Sequence, residues 1–277
     1  THACTVAQGN GWTVQDVLCT CGPHDRPFEE RHDRVSIAIV LAGSFQYRGA
    51  DGRRGAGELM TPGSMLLGNA GRSFECGHEH GQGDRCLSFH YDADLFERIA
   101  AESGASRSER VFSRLRLPAV RETAPLVARA AGLHQAGSNG FSPWDELSVE
   151  IATSALRWAN GLRGDVVFAP PSTVARITRA VRAIDDNPAA ELTLDTLAQQ
   201  AGLSRYHFLR TFEQLTAMTP HQYVRRARLR LAAVRLAADP ERVLDIALDC
   251  GFGDVSNFNR AFRSEFGVSP QAFRRAS

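Results

Sequence analysis

Hydrophobic positions along the chain follow two periods, and the change from one to the other divides it. Between residues 35 and 92, short apolar and β-branched runs are broken by glycine turns. VSIAIVLAG (35–43) stops at Gly43, FQYRGADGRRG turns through Gly49, Asp51–Gly52 and Gly55, and ELMTPGSMLLG carries a Pro62–Gly63 turn. SFECGHEH and RCLSFHYD read as further strands. Many short strands with regular turns predict a small sandwich or barrel. Beyond it the spacing lengthens to that of a helix. LPAVRETAPLVARAAGLHQ (117–135) and SPWDELSVEIATSALRWANGL (142–162) are expected as helices. In the second, Leu147, Ile151, Ala155, Leu156 and Trp158 fall largely on one stripe, which either packs on the β domain or pairs with a second copy. GDVVFAPPS (164–172), with Pro170–Pro171, is the expected linker. From Val174 to Arg275 the pattern is helical almost throughout, with turns that leave about seven helices.

The helical region repeats itself. LDTLAQQAGLS (194–204) matches LDIALDCGFGD (244–254), with Leu197, Ala198 and Gly202 against Ile246, Ala247 and Gly251. SRYHFLRTF (204–212) then matches DVSNFNRAF (254–262), and MTPHQY (218–223) matches VSPQAF (268–273). The offset is 49 before the turn and 50 after it, so one residue is inserted between Gly251 and Asp254. Each unit is a short helix, a glycine turn and a second helix capped by Ser204 or Asp254, the helix-turn-helix pattern. Phe208/Phe212 and Phe258/Phe262 lie four apart, share a face and must point inward. Arg205, Tyr206, Leu209 and Arg210, and Val255, Ser256, Asn259 and Arg260, point outward. The scaffold is written twice and the exposed letters differ. The major groove, about 12 Å wide, accepts such a helix. Between the units, TPHQYVRRARLRLAAVRLAAD (219–239) reads as one long helix. About 19 residues at 1.5 Å per residue span roughly 28 Å, close to the repeat of about 34 Å between major grooves on one face of a duplex. Its Arg225, Arg226, Arg228, Arg230 and Arg235 meet phosphates or form surface ion pairs.

Charge sharpens this division. The net +1 hides +4 over residues 172–277 (15 Arg against 11 acids) and −3 over residues 1–171. The C-terminal third is the part suited to a polyanion. Every basic residue is Arg, which binds phosphate and guanine in a bidentate manner. The 277 residues are 43% hydrophobic, enough for two cores, while no apolar run approaches the roughly 18 residues a membrane span needs. With no secretion-signal pattern at the start, the expectation is a soluble, cytoplasmic protein with no membrane partner.

With the repeat in view, residues 246–274 (IALDCGFGDVSNFNRAFRSEFGVSPQAFR) resemble the AraC/XylS family of bacterial transcription regulators nearly residue for residue. The resemblance covers about 100 residues and implies two helix-turn-helix subdomains, near 185–219 and 240–270, within a DNA-binding domain over 173–277. Carried over by position, Tyr206, Leu209 and Arg210, and Val255, Ser256, Asn257, Asn259 and Arg260, are the expected DNA contacts, with Arg205 beside them. Leu209 departs from the polar residue often found there and suits a thymine methyl. The resemblance also implies an N-terminal cupin-like barrel over 1–105 that senses an effector, and a helical dimerisation or packing segment over 106–163. The fold class is thus α+β, a small β-barrel with packed helices followed by an all-α domain. Double-stranded DNA, RNA polymerase, an effector and a second copy are the implied partners, in a nucleoid-associated bacterial protein.

Five of six cysteines fall in the first 86 residues. Strand alternation puts Cys19 with Cys21 on one face, and Cys76 with His78 and His80 on another, with Cys86 returned beside them by a glycine-rich turn. Thiolate and imidazole suit zinc, and a tetrahedral site is expected to draw on Cys19, Cys21, Cys76 and either His78 or His80. Four readings stay open: a metal sensor, a structural site, an activated thiolate, or no metal at all, with solvated histidines, cysteines as small core residues and an organic effector inside the barrel. A metal-dependent or alkyl-accepting enzyme fused to a DNA-binding domain is the alternative function, against which stands the lack of a clear two-His-plus-carboxylate pattern. Cys250 is expected in the core.

Overall fold

The computed structural model of this chain describes all residues except 28, 50–56, 79–80, 136–140, 162–168, 239 and 277. Among the described residues, the N-terminal half holds ten strands: β1 (His2–Gly9), β2 (Trp12–Cys19), β3 (Glu29–Arg31), β4 (Val35–Gly43), β5 (Phe45–Gly49), β6 (Glu58–Met60), β7 (Met65–Gly68), β8 (Ser73–Gly77), β9 (Asp84–Tyr91) and β10 (Arg116–Leu117). They form a six-stranded sheet, β1-β2-β9-β4-β7-β10, and a four-stranded sheet, β3-β8-β5-β6.

The lack of polar alternation in VSIAIV has a direct cause: both faces of β4 are buried. Ala38 and Val40 meet Phe45, Tyr47, Met60, Leu66 and Cys86 between the sheets. Ile37 and Ile39 point to the other side, joining Trp12, Leu87, Phe89 and Tyr91. That outer face is covered by α1 (Ala93–Glu102), α2 (Ala124–Gln135) and α3 (Phe141–Gly161). Trp144, Leu147, Ile151, Ala155 and Leu156 of α3 are buried in this same core, so the apolar stripe of α3 packs within its own chain. The Trp12 indole N–H donates to Asp145 at 2.8 Å.

Two expectations change at this level. The helix expected over 117–135 begins only at Ala124. Arg116–Leu117 instead extends the sheet against Met65–Leu66, and turns in which Val120 N–H bonds the Pro118 carbonyl and Thr123 N–H bonds that of Val120 separate it from the helix. The strand expected over 73–80 ends at Gly77.

The C-terminal part contains α4 (Pro171–Asp186), α5 (Leu194–Ala201), α6 (Arg205–Thr216), α7 (Pro220–Ala238), α8 (Val243–Asp249), α9 (Val255–Phe266) and α10 (Pro270–Ala276). Helix α4 starts at Pro171, inside the expected linker, whose residues 164–168 lie outside the described ones. One core gathers around Phe208, Phe212 and Tyr223. A second gathers around Phe258, Phe262 and Cys250. Both borrow from the N-terminal half: Leu59 and Ala119 enter the first, and Ala124 and Ala128 of α2 pack on the second. Among the described residues no helix is long and apolar enough to cross a membrane.

Candidate nucleic-acid interface and thiol–imidazole cluster

The sequence repeat is a repeat of backbone hydrogen bonds. Gly202 (φ +63°) and Gly251 (φ +86°) both adopt the left-handed backbone. The Leu203 N–H donates to the Ala198 carbonyl at 3.0 Å, and the Phe252 N–H donates to that of Ala247 at 3.1 Å, 49 positions on. Gly253 is the inserted residue. The register is then 50: His207 N–H donates to Ser204 Oγ at 3.4 Å, and Asn257 N–H donates to Asp254 Oδ1 at 2.7 Å. Helices α6 and α9 run twelve residues each. Each ends on a left-handed residue, Ala217 (φ +63°) and Gly267 (φ +78°). Thr219 and Ser269 then cap the next helices, accepting from the N–H groups of Gln222 and Ala272. Inside, the rings of Phe208 and Phe212 stand 5.4 Å apart and those of Phe258 and Phe262 stand 5.5 Å apart.

The outward faces are free of such constraint. Tyr206 is 74% exposed, an unusual position for an aromatic ring with no packing role. Arg205, Arg210, Ser256, Asn257, Asn259 and Arg260 are exposed, and Leu209 and Val255 are half-buried at the helix bases. Arg205 pairs with Asp195, and both side chains are largely solvated, an ion pair that phosphate can replace at little cost. His207 and Arg263 share these exposed faces. The sequence reading passed over both, although each falls one helical step from a named position.

The arginines of α7 divide differently from the sequence expectation. Arg225 is exposed. Arg226 pairs with Glu265 at 2.9 Å and also donates to the Ala119 carbonyl. Arg230 donates to Asp185 at 2.9 Å and lies over the Tyr223 ring. Arg235 pairs with Asp249 at 3.0 Å and with Glu241. Arg228 donates to three carbonyls: Pro188 at 2.8 Å, Ala190 at 2.9 Å and Gly251 at 2.6 Å. The first two belong to the turn after α4 and the third to the turn of the second unit. Arg228 therefore ties the two helix-turn-helix units together. Four of the five arginines fix the scaffold because α7 lies between two cores, where a long cation is kept only if its donors find carbonyls or carboxylates.

The N-terminal half is strapped to this scaffold by β10 and the segment after it. Arg116 donates to the Leu59 and Leu215 carbonyls at 2.7 and 2.9 Å, and Arg121 donates to the Ser264 carbonyl at 2.7 Å. Between the halves lies a cavity of 870 Å³, bounded by β4, α2, α7 and the ends of α4 and α9. Its wall is mostly apolar, with Val127, Leu231 and Phe266 among the lining residues and Arg226, Arg230, Asp185 and Glu265 at its polar edge. Burial raises the Asp185 carboxyl above its ordinary value, against the pull of Arg230 and Tyr223.

At one end of the β domain, Cys19, His78 and Asp84 converge, with one donor atom from each lying within 4.8 Å of the others. Cys19 stands opposite Asp84 on the β2–β9 ladder, while His78 arrives from the end of β8 in the other sheet. His78 Nε2 and Asp84 Oδ2 are 2.5 Å apart, and both side chains are buried. The Cys86 thiol donates to Asp84 Oδ1 at 3.4 Å. This differs from the expected set of Cys19, Cys21, Cys76 and His78 or His80. Cys76 and Cys86 pack among the residues between the sheets. Cys21 stays beside the Cys19 thiol, and His80 lies outside the described residues. Asp84 was the missed member, since an acid after glycines reads as a turn residue. Burial pushes the Cys76 and Cys86 thiols well up and the Cys19 thiol up. Burial therefore gives these three thiols no activation of their own.

Twin helix-turn-helix units strapped to a β domain define a two-domain protein with one part suited to a duplex and the other to a ligand. Comparisons with known proteins agree. The AraC-like ligand binding domain matches residues 16–156, and a helix-turn-helix domain matches residues 197–276; the chain belongs to the AraC family. It is 31% identical over 100 residues to the HTH-type transcriptional regulator MtrA of Neisseria gonorrhoeae, covering 36% of this chain and 33% of that protein. It is 36% identical over 91 residues to the regulatory protein SoxS of Salmonella typhimurium, covering 33% of this chain and 85% of SoxS. Among solved structures, the DNA-binding domain of AdpA in complex with a target DNA aligns at 30% identity with a TM-score of 0.35, over 36% of this chain and 91% of that one. The match to MtrA spans about a third of that relative's length.

Proposed function

We propose that this protein is a sequence-specific, double-stranded-DNA-binding transcriptional regulator whose two recognition helices, α6 and α9, enter successive major grooves of one duplex. The observation that carries the reading is the pair of equivalent capped helices, identical in turn hydrogen bonding and different in exposed residues, held by Arg228 on one scaffold. Arg205, Tyr206, Leu209 and Arg210 read one half-site, and Val255, Ser256, Asn257, Asn259 and Arg260 read the other. Asn and Arg at such positions match adenine and guanine edges, while the solvated Arg205–Asp195 pair yields Arg205 to phosphate. Membership of a family that includes MtrA and SoxS, both named as regulators, supports the same reading.

Control comes from the N-terminal half. A cavity of 870 Å³ between the domains is large enough for a small organic effector, and its wall is shared between α2 and α7. A molecule bound there changes how the two halves are held. Homodimerisation and contact with RNA polymerase belong to the same proposal; sedimentation of the full chain and run-off transcription test them.

The direct test is binding of the full-length protein to duplexes selected from a random pool, across a salt series. Phosphate-driven binding predicts affinity that falls steeply with salt. Arg260→Ala and Tyr206→Ala each lower affinity about tenfold, each relaxing a different half-site. Selection that yields no enriched sequence, or variants that bind as the parent does, defeats the proposal.

A further inference from the structure

The cluster at the end of the β domain touches the DNA-binding domain through one residue. Arg182 of α4 donates to Ser44 Oγ at 3.0 Å, to the Ser44 carbonyl at 2.7 Å, to the Gln82 carbonyl at 3.1 Å and to the Gly83 carbonyl at 3.3 Å. The last two carbonyls belong to the turn that joins His78 to Asp84. The approach is so close that a Cβ on Gly81 would lie 1.8 Å from the Arg182 guanidinium carbon. The guanidinium also lies in the field of the Asp84 carboxylate. Ser44 itself is buried, so this contact is a seated clamp rather than a surface pair.

We propose that Cys19, His78 and Asp84 form a three-ligand site for a divalent transition metal of the zinc type, and that its occupancy is transmitted to the DNA-binding domain through Arg182. The inference rests on the regulator reading above only for its DNA-binding consequence; the site itself stands on geometry.

One thiol, one imidazole and one carboxylate are the donor types zinc takes, and three protein ligands leave a fourth position for water or an exogenous ligand. Cys19 is half-buried, which gives the ion a way in. Metal at about 2.0–2.3 Å from tetrahedrally placed donors holds them roughly 3.3–3.7 Å apart. His78 and Asp84 stand at hydrogen-bonding distance, 2.5 Å. Metal binding, which releases protons from its ligands, parts the pair by about 1 Å. The turn between them is the one that Arg182 grips. Spreading the ligands shifts that turn and loosens the clamp, so metal releases α4 from the β domain.

The test uses the full-length protein stripped with a chelator and reloaded with Co2+ or Zn2+. The expected result is one Co2+ per chain with a tetrahedral ligand-field spectrum and a thiolate-to-cobalt charge-transfer band. Cys19→Ser abolishes that band, and Asp84→Asn or His78→Gln weakens metal binding at least tenfold. Should any variant not fold, the parent protein decides the point: Zn2+ protects Cys19 from maleimide, mapped by mass spectrometry, while Cys4 stays reactive. Hydrogen exchange in α4 rises on metal loading, and DNA affinity changes at least fivefold. Arg182→Met keeps the cobalt spectrum and loses both responses. Absence of the charge-transfer band, protection of another cysteine instead of Cys19, or an α4 response that persists in Arg182→Met overturns the inference. A normal cobalt spectrum and α4 response with no DNA binding in either state leaves the site standing and sinks the regulator reading instead.

Discussion

Replacing Arg228 by Met keeps the aliphatic stem and removes the guanidinium that joins the two helix-turn-helix units. Three hydrogen bonds are lost, at 2.8, 2.9 and 2.6 Å, from the Pro188, Ala190 and Gly251 carbonyls. Bonds from a charged donor are worth about 1.5–3 kcal/mol each when sealed from water. Arg228 is only part-buried, and water satisfies the carbonyls in part once it is gone, so about 1 kcal/mol each is the appropriate scale, about 3 kcal/mol together. Urea unfolding of the full chain reads that loss as a lower midpoint at unchanged slope. The functional consequence is separate. Two modules held rigidly present the second helix to its half-site at high effective concentration. Loosening them costs about 1.4 kcal/mol on a duplex with both half-sites, a tenfold loss, and nothing on a duplex with one. Fluorescence anisotropy on the two duplexes gives the comparison. Equal losses on both, or a midpoint unchanged within about 0.5 kcal/mol, refutes the view of Arg228 as the tie between reading units.

Three further outcomes follow from particular residues. Ala217 is the one non-glycine residue with positive φ among those described (+63°), while the repeat places Gly267 at the same point, so Ala217→Gly raises stability by about 1 kcal/mol in thermal unfolding; destabilisation contradicts this. Burial against Phe74 and beside His90 lowers the His32 imidazole to about 4, where it bonds Tyr47 at 2.7 Å and Ser36 at 2.9 Å. Between pH 4 and 6.5 the unfolded chain binds a proton that the native chain does not, so stability falls as pH drops through that window, by about 3 kcal/mol in full. His32→Asn flattens this slope, and an unaltered slope argues against a neutral buried imidazole. Trp144→Ala, which empties a fully buried site in the β domain, costs about 3–5 kcal/mol while selected duplexes still bind the folded fraction.

The helical third was legible because its constraints are local. Caps, glycine turns and paired phenylalanines specify α5–α6 and α8–α9 from a few adjacent residues, and the inserted Gly253 shows directly as a change of offset. The β domain was less so. The hairpin of β1 and β2 escaped notice, since β1 is mostly exposed and its residues carry little apolar signal. The roles of the α7 arginines were hidden because carbonyl partners such as Pro188, Ala190 and Gly251 leave no mark on side-chain identity. Asp84 was missed for a topological reason: its neighbour Cys19 sits 65 positions away and is brought opposite only by the β2–β9 register. The cavity between the domains likewise depends on the docking of α2 against α7, which no single stretch encodes.

The most direct measurement is guanine-methylation interference on a selected duplex bound by the full-length protein. Two interference patches on the same face of the DNA, about one helical turn apart, with one lost in Arg210→Ala and the other in Arg260→Ala, is the predicted result. A single patch, or two patches that both respond to one substitution, contradicts the account of two separate reading helices.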